Sequence, residues 1–163
     1  KQADEIYSEA LKHNLSVIVE VHDQKEAEAA LKYKEALRDN NVVHAYIVHS
    51  EDGMDEISPF AKTNIVELKD KNINELTIAP KLLGITSTNK ENLKGKNAYY
   101  NAKKIVEIYK GKSNEFSQSV ALNVAAGLIV SGKENEFKTA FEKATKHLSS
   151  GNVFHHLIKI QSI

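Results

Sequence analysis

Two short runs rich in β-branched residues, 15–21 (with Val17, Ile18, Val19 and Val21) and 42–48 (with Val42, Val43, Ile47 and Val48), flank a stretch from 24 to 38 dominated by Ala, Leu, Lys and Glu. Runs of that length and composition read as buried strands, and the intervening stretch has the intrinsic propensity of a long helix. Strand, helix, strand is the rhythm of a parallel sheet with crossover helices, in which ligands gather at the carboxyl ends of the strands. Asp23 has the character of a helix N-cap, and Asp39-Asn40-Asn41 ends the helix. Upstream, residues 2–13 place Ile6, Ala10 and Leu11 on one side and Asp4, Glu5, Glu9 and Lys12 elsewhere, as an amphipathic helix would.

Beyond the second strand, residues 64–68 and 73–78 form a predicted hairpin around Lys69-Asp70-Lys71-Asn72, closed by Pro80. Residues 84–95 carry turn formers and read as a loop with one short helical turn. The last third is helical. Residues 98–109 put Ala98, Ala102, Ile105, Val106 and Tyr109 on one face, with Gly111 as the stop. Residues 119–130 are apolar almost all round, the pattern of a helix buried on most sides. Residues 134–148 and 153–160 make a closing pair. The expected fold is therefore α/β: an incomplete mixed sheet flanked by helices, its carboxyl-terminal third all helical.

Composition narrows the chemistry. Lys plus Arg and Asp plus Glu are 22 each among 163 residues, so no global field recruits a nucleic acid. No apolar run is long enough to cross a bilayer, and the absence of cysteine removes thiolate ligands, thiol nucleophiles and disulfides. These features lead to the expectation of a cytoplasmic protein with no membrane or nucleic-acid partner. The chain opens at Lys1 on a charged helical pattern, which reads as a processed chain or a piece of a longer one without a signal peptide.

One cluster carries chemistry. Asp52, Asp55 and Glu56 surround Gly53, beside Glu51 and directly after a predicted strand. Mg²⁺ prefers carboxylate oxygens and commonly takes one or two of them together with water and substrate phosphates. By spacing alone a solvated acidic loop accounts for the same residues.

The segment Val48-His49-Ser50-Glu51-Asp52-Gly53-Met54-Asp55-Glu56-Ile57-Ser58 resembles the Val-His-Gly-Glu-Asp-Gly-Leu-Asp-Glu-Ile-Ser signature of anthranilate phosphoribosyltransferases. The resemblance continues through Val66-Glu67-Leu68-Lys69-Asp70, Leu93-Lys94-Gly95, Asn101-Ala102, Leu122-Asn123-Val124-Ala125-Ala126 and Ser131-Gly132-Lys133. It implies a carboxyl-terminal α/β part, residues 32–163, of an enzyme of tryptophan biosynthesis. That enzyme transfers a phosphoribosyl group from phosphoribosyl pyrophosphate (PRPP) to the amine of anthranilate. It implies Asp55 and Glu56 as ligands of Mg²⁺, with no side-chain nucleophile, and a packed or capping role for His49.

Several family segments are missing from these residues: Gly-Thr-Gly-Gly-Asp, whose backbone amides cradle phosphate, Lys-His-Gly-Asn, and the arginine that meets anthranilate. Phe60-Ala61-Lys62-Thr63 replaces the usual Gly-Pro-Thr, and Lys96 replaces the second glycine of a Gly-Gly pair. The expectation is a chain inactive by itself, the alternative a non-catalytic remnant or an oligomerising α/β fragment. Loss of sheet and helix neighbours predicts self-association, as a homo-oligomer. Residues 1–31 are similar instead to a helix-strand-helix stretch of indole-3-glycerol phosphate synthase, with Glu20 matching a glutamate of its catalytic set.

Overall fold

The computed structural model describes residues 17–20, 42–86 and 89–162. The helices predicted at 2–13 and 24–38, with Asp23 as N-cap, lie outside the described residues. A four-stranded sheet runs in sequence order: β1 (Val17–Glu20), β2 (His44–Ser50), β3 (Thr63–Lys69) and β4 (Asn72–Ile78). β1 pairs parallel with β2, Glu20 opposite Val48, and the other two pairs are antiparallel. The sheet is mixed, as expected.

β2 is buried along almost its whole length, which suits a strand covered on both faces. It begins and ends two residues later than the apolar run suggests. Val43 is 63% exposed and precedes the ladder, while His49 and Ser50 continue it opposite Asn64 and Thr63. Cross-strand pairing sets the strand's ends, and the polarity of His49 and Ser50 conceals this in the sequence. β3 and β4 join through Asp70 and Lys71, both at positive φ (49° and 68°), the backbone of a tight primed turn whose twist matches that of the strands. Pro80 opens a 3-10 turn, Pro80–Leu83, instead of merely ending the hairpin, and the predicted short helical turn in the next loop is Lys90–Leu93.

Four α-helices complete the described residues: α1 (Ala98–Tyr109), α2 (Glu115–Val130), α3 (Phe137–Ser149) and α4 (Asn152–Gln161). α2 begins in a reciprocal cap in which the Asn114 side chain accepts from Ser117 N–H and the Ser117 hydroxyl accepts from Asn114 N–H. It packs on β1, β2 and α3. Its Ala121, Leu122, Ala125, Ala126, Ile129 and Val130 are buried and join Tyr46, Val48 and Ile65 of the sheet in one core. The helix is buried or partly buried on most sides, as expected, apart from Val120 and Val124, which are 36% and 44% exposed. The face predicted for α1 is half right. Val106 and Tyr109 are partly covered and Ile108 is buried, but Ala98, Ala102 and Ile105 are exposed, since burial is confined to the helix's last turns.

Candidate functional site

The carboxyl ends of the parallel strands β1 and β2 lie side by side, and the acidic turn leaves β2 at that edge. Gly53, at φ 81°, makes the reversal, with its N–H donating to Ser50 C=O at 3.0 Å. Glu51 N–H donates to Lys62 C=O at 2.9 Å, closing the base of the turn against the segment that enters β3.

Beneath the turn lies a dry hydroxyl cluster, with Ser50, Ser58 and Thr63 all fully buried. The Ser50 hydroxyl donates to Glu56 C=O at 2.9 Å and is 2.5 Å from the Thr63 hydroxyl. Because the Ser50 proton is spent on Glu56, Thr63 is the donor in that second bond. Ser58 N–H is shared between the Ser50 and Thr63 oxygens at 3.1 and 3.2 Å. Ser50 stands where the signature has glycine, so its hydroxyl adds links that a glycine cannot make.

Asp52 is a structural carboxylate. Its side chain is 7% exposed, accepts from the Ser58 hydroxyl at 2.8 Å and Met54 N–H at 3.3 Å, and faces Lys90 Nζ at 3.1 Å. Lys90 also donates to Asp52 C=O at 3.0 Å, tying the Lys90–Leu93 turn to the acidic turn. Burial pushes the Asp52 carboxyl upward. The hydrogen bonds from Ser58, Lys90 and Met54, with the lysine charge, outweigh it and leave the group below the ordinary carboxylate range. Asp55 and Glu56 follow on the far side of Gly53, half-buried, in the stretch that the hydroxyl cluster holds from below.

Asp55 and Glu56 are neighbouring carboxylates of the turn, and no group of three or more His, Cys, Asp or Glu able to hold a metal occurs among the described residues. Two hard oxygen donors fit an ion such as Mg²⁺ that keeps water and takes phosphate oxygens from a substrate; they do not make a closed protein cage. His49 sits half-buried in β2 opposite Asn64, as a strand residue. Glu20 ends β1, at the same sheet edge as the acidic turn.

One residue at the site has a role that its place in the resembling segment Leu122-Asn123-Val124-Ala125-Ala126 does not reveal. Asn123, midway along α2, accepts from Ile57 N–H at 3.0 Å and donates to Ile57 C=O at 3.2 Å. A polar side chain between Leu122 and Val124 in so apolar a helix is the signal that could have found it, since a partly buried amide needs partners.

Residues 12–154 match the α/β domain of the glycosyl transferase family. The chain belongs to that family. The matched span starts inside the stretch that resembles indole-3-glycerol phosphate synthase. Among glycosyl transferase family members, the chain is 47% identical over 131 residues to an anthranilate phosphoribosyltransferase of Pelagibacter ubique, covering 80% of this chain and 40% of that one. Among solved structures it superposes on the anthranilate phosphoribosyltransferase of Thermus thermophilus with a TM-score of 0.74 at 26% identity, over 86% of this chain and 40% of that one. The Saccharomyces cerevisiae enzyme in complex with PRPP and Mg shares the fold at a TM-score of 0.72 and 22% identity, over 85% of this chain and 39% of that one. The chain thus spans about 40% of the length of the relatives it matches. No helix among the described residues is long and apolar enough to cross a membrane.

Proposed function

We propose that the chain is the carboxyl-terminal α/β part of an anthranilate phosphoribosyltransferase and supplies the Mg²⁺ side of the PRPP site through Asp55 and Glu56. The observation that carries this is how firmly the backbone of the acidic turn is held. Asp52 is spent on Ser58, Met54 and Lys90, while the backbone beneath Asp55 and Glu56 is fixed by buried hydroxyls at the carboxyl edge of the sheet. A complex with PRPP and Mg in a relative of the same fold supports the choice of ion.

In transfer to the anthranilate amine, positive charge develops at the sugar carbon as negative charge collects on the departing pyrophosphate. Bound Mg²⁺ supplies neutralisation of that negative charge. The protein's own contribution is orientation: Asp55 and Glu56, neighbours in the turn, would hold the ion, and Asp52, Ser50 and Thr63 keep the turn from rearranging. Phosphate also needs a cradle of backbone amides, and the 163 residues contain no Gly-Thr-Gly-Gly-Asp. The chain therefore carries half a site and does not turn over alone. Composition, with no cysteine and balanced charge, supports a cytoplasmic setting.

Calorimetry tests this. Mg²⁺ with PRPP gives a binding heat with the wild-type chain that Asp55→Asn/Glu56→Gln abolishes; equal heats from the two proteins refute the assignment.

A further inference from the structure

Asp55 and Glu56 can act as a pair only if the backbone carrying them is fixed in orientation. Ile57, immediately after Glu56, is fully buried, which anchors its side chain but leaves the rotation of its two peptide groups to be set by hydrogen bonds. Three side chains from three elements set it. Ser50, the last residue of β2, holds Glu56 C=O, and Thr63, the first residue of β3, shares Ser58 N–H with Ser50. Asn123 of α2 takes both polar groups of Ile57.

Asn123 is well made for that task. Its second amide proton goes to Ser119 C=O at 2.9 Å, so its oxygen and both its protons are used. The amide can sit only one way round, because turning it over would set donor against N–H and acceptor against C=O. Its helix is immobilised at its start by the Asn114/Ser117 cap and along its length by six buried apolar residues. The bond crosses 66 positions of sequence.

We propose that Asn123 is a positioning residue for the Asp55-Glu56 carboxylates: by fixing both polar groups of Ile57 to α2, it sets the direction in which the two acidic side chains leave the turn. This rests on reading that pair as the Mg²⁺ ligands. Supports of metal ligands typically matter by about 10–100-fold in affinity. Asn123 acts through the backbone and touches no ligand, so an effect near the lower end is expected.

The test measures Mn²⁺ affinity in the presence of PRPP, by water-proton relaxation, on the full chain and three variants whose folding is checked by circular dichroism. Asn123→Ala weakens binding about 10-fold. Phe141→Leu, a core lesion in α3 away from the turn, keeps the wild-type affinity. Asn123→Ala that is folded and binds as tightly as wild type overturns the proposal, and so does an equal loss in Phe141→Leu. Should Asn123→Ala not fold, wild-type nuclear magnetic resonance decides. The Asn123 side-chain NH₂ signals shift on adding Mg²⁺ and PRPP, whereas signals that stay put count against the role. If wild type and Asp55→Asn/Glu56→Gln bind Mn²⁺ equally, the metal assignment itself has failed and the positioning role falls with it. If only the Asn123 arms fail, the metal assignment stands.

Discussion

At the scale of single residues, the acidic turn shows how little of a side chain's role is contained in its type. Asp52, Asp55 and Glu56 are equally acidic in the sequence, and the pattern around Gly53 marks all three. Spacing alone does not tell them apart, and only the fold shows the structural part that Asp52 plays, because Ser58 and Lys90, which hold its carboxylate, lie 6 and 38 positions away. Asp52 should govern part of the acid stability. Its folded carboxyl titrates below the unfolded value of about 3.9, so its contribution is complete above that value and is lost as pH falls through the folded one. Asp52→Asn should cost about 1–3 kcal/mol at neutral pH, as charge-assisted hydrogen bonds do, and the gap to wild type should close as the pH is lowered. Urea unfolding at a series of pH values measures this; a gap that widens in acid contradicts it. Ser50→Ala should cost a similar amount, about 1–3 kcal/mol, by leaving Glu56 C=O and the Thr63 hydroxyl without their partner in a dry site. That loss should appear at all pH values, unlike the loss at Asp52.

At the scale of elements, legibility followed the locality of the signal. The β3–β4 hairpin was readable because its turn residues and alternating strands lie within 16 positions, from Thr63 to Ile78. The start of β2 was not, because it depends on pairing with Lys69, far along the chain. The apolar pattern of α1 pointed to a face that the fold covers only near its end, where α3 and α4 meet it. The hairpin also carries a correctable cost. Lys71 sits at φ 68°, where a side chain crowds the backbone and glycine does not. Lys71→Gly should raise stability by about 1 kcal/mol, read as a higher thermal midpoint, since a primed turn favours glycine there. An unchanged or lower midpoint would show that the turn is not under this strain.

At the scale of the whole molecule, the chain holds about 40% of the length of its relatives, and the resemblance announced by the acidic signature extends over most of its residues. What the sequence could not convey is which of its apolar residues remain on the surface. Val120, Val124 and Ile105 are exposed on α2 and α1, apolar surface that favours self-association. Sedimentation velocity over a range of concentrations should show mass rising above the monomer; a single monomeric species throughout contradicts this. The central claim, that Asp55 and Glu56 rather than Asp52 are the metal carboxylates of a half site, is tested most directly by anomalous scattering from a crystal grown with Mn²⁺ and PRPP. The account predicts one Mn²⁺ peak within bonding distance of the Asp55 and Glu56 carboxylates, with Asp52 still held by Ser58 and Lys90. A peak on Asp52, or none at the turn, would contradict it.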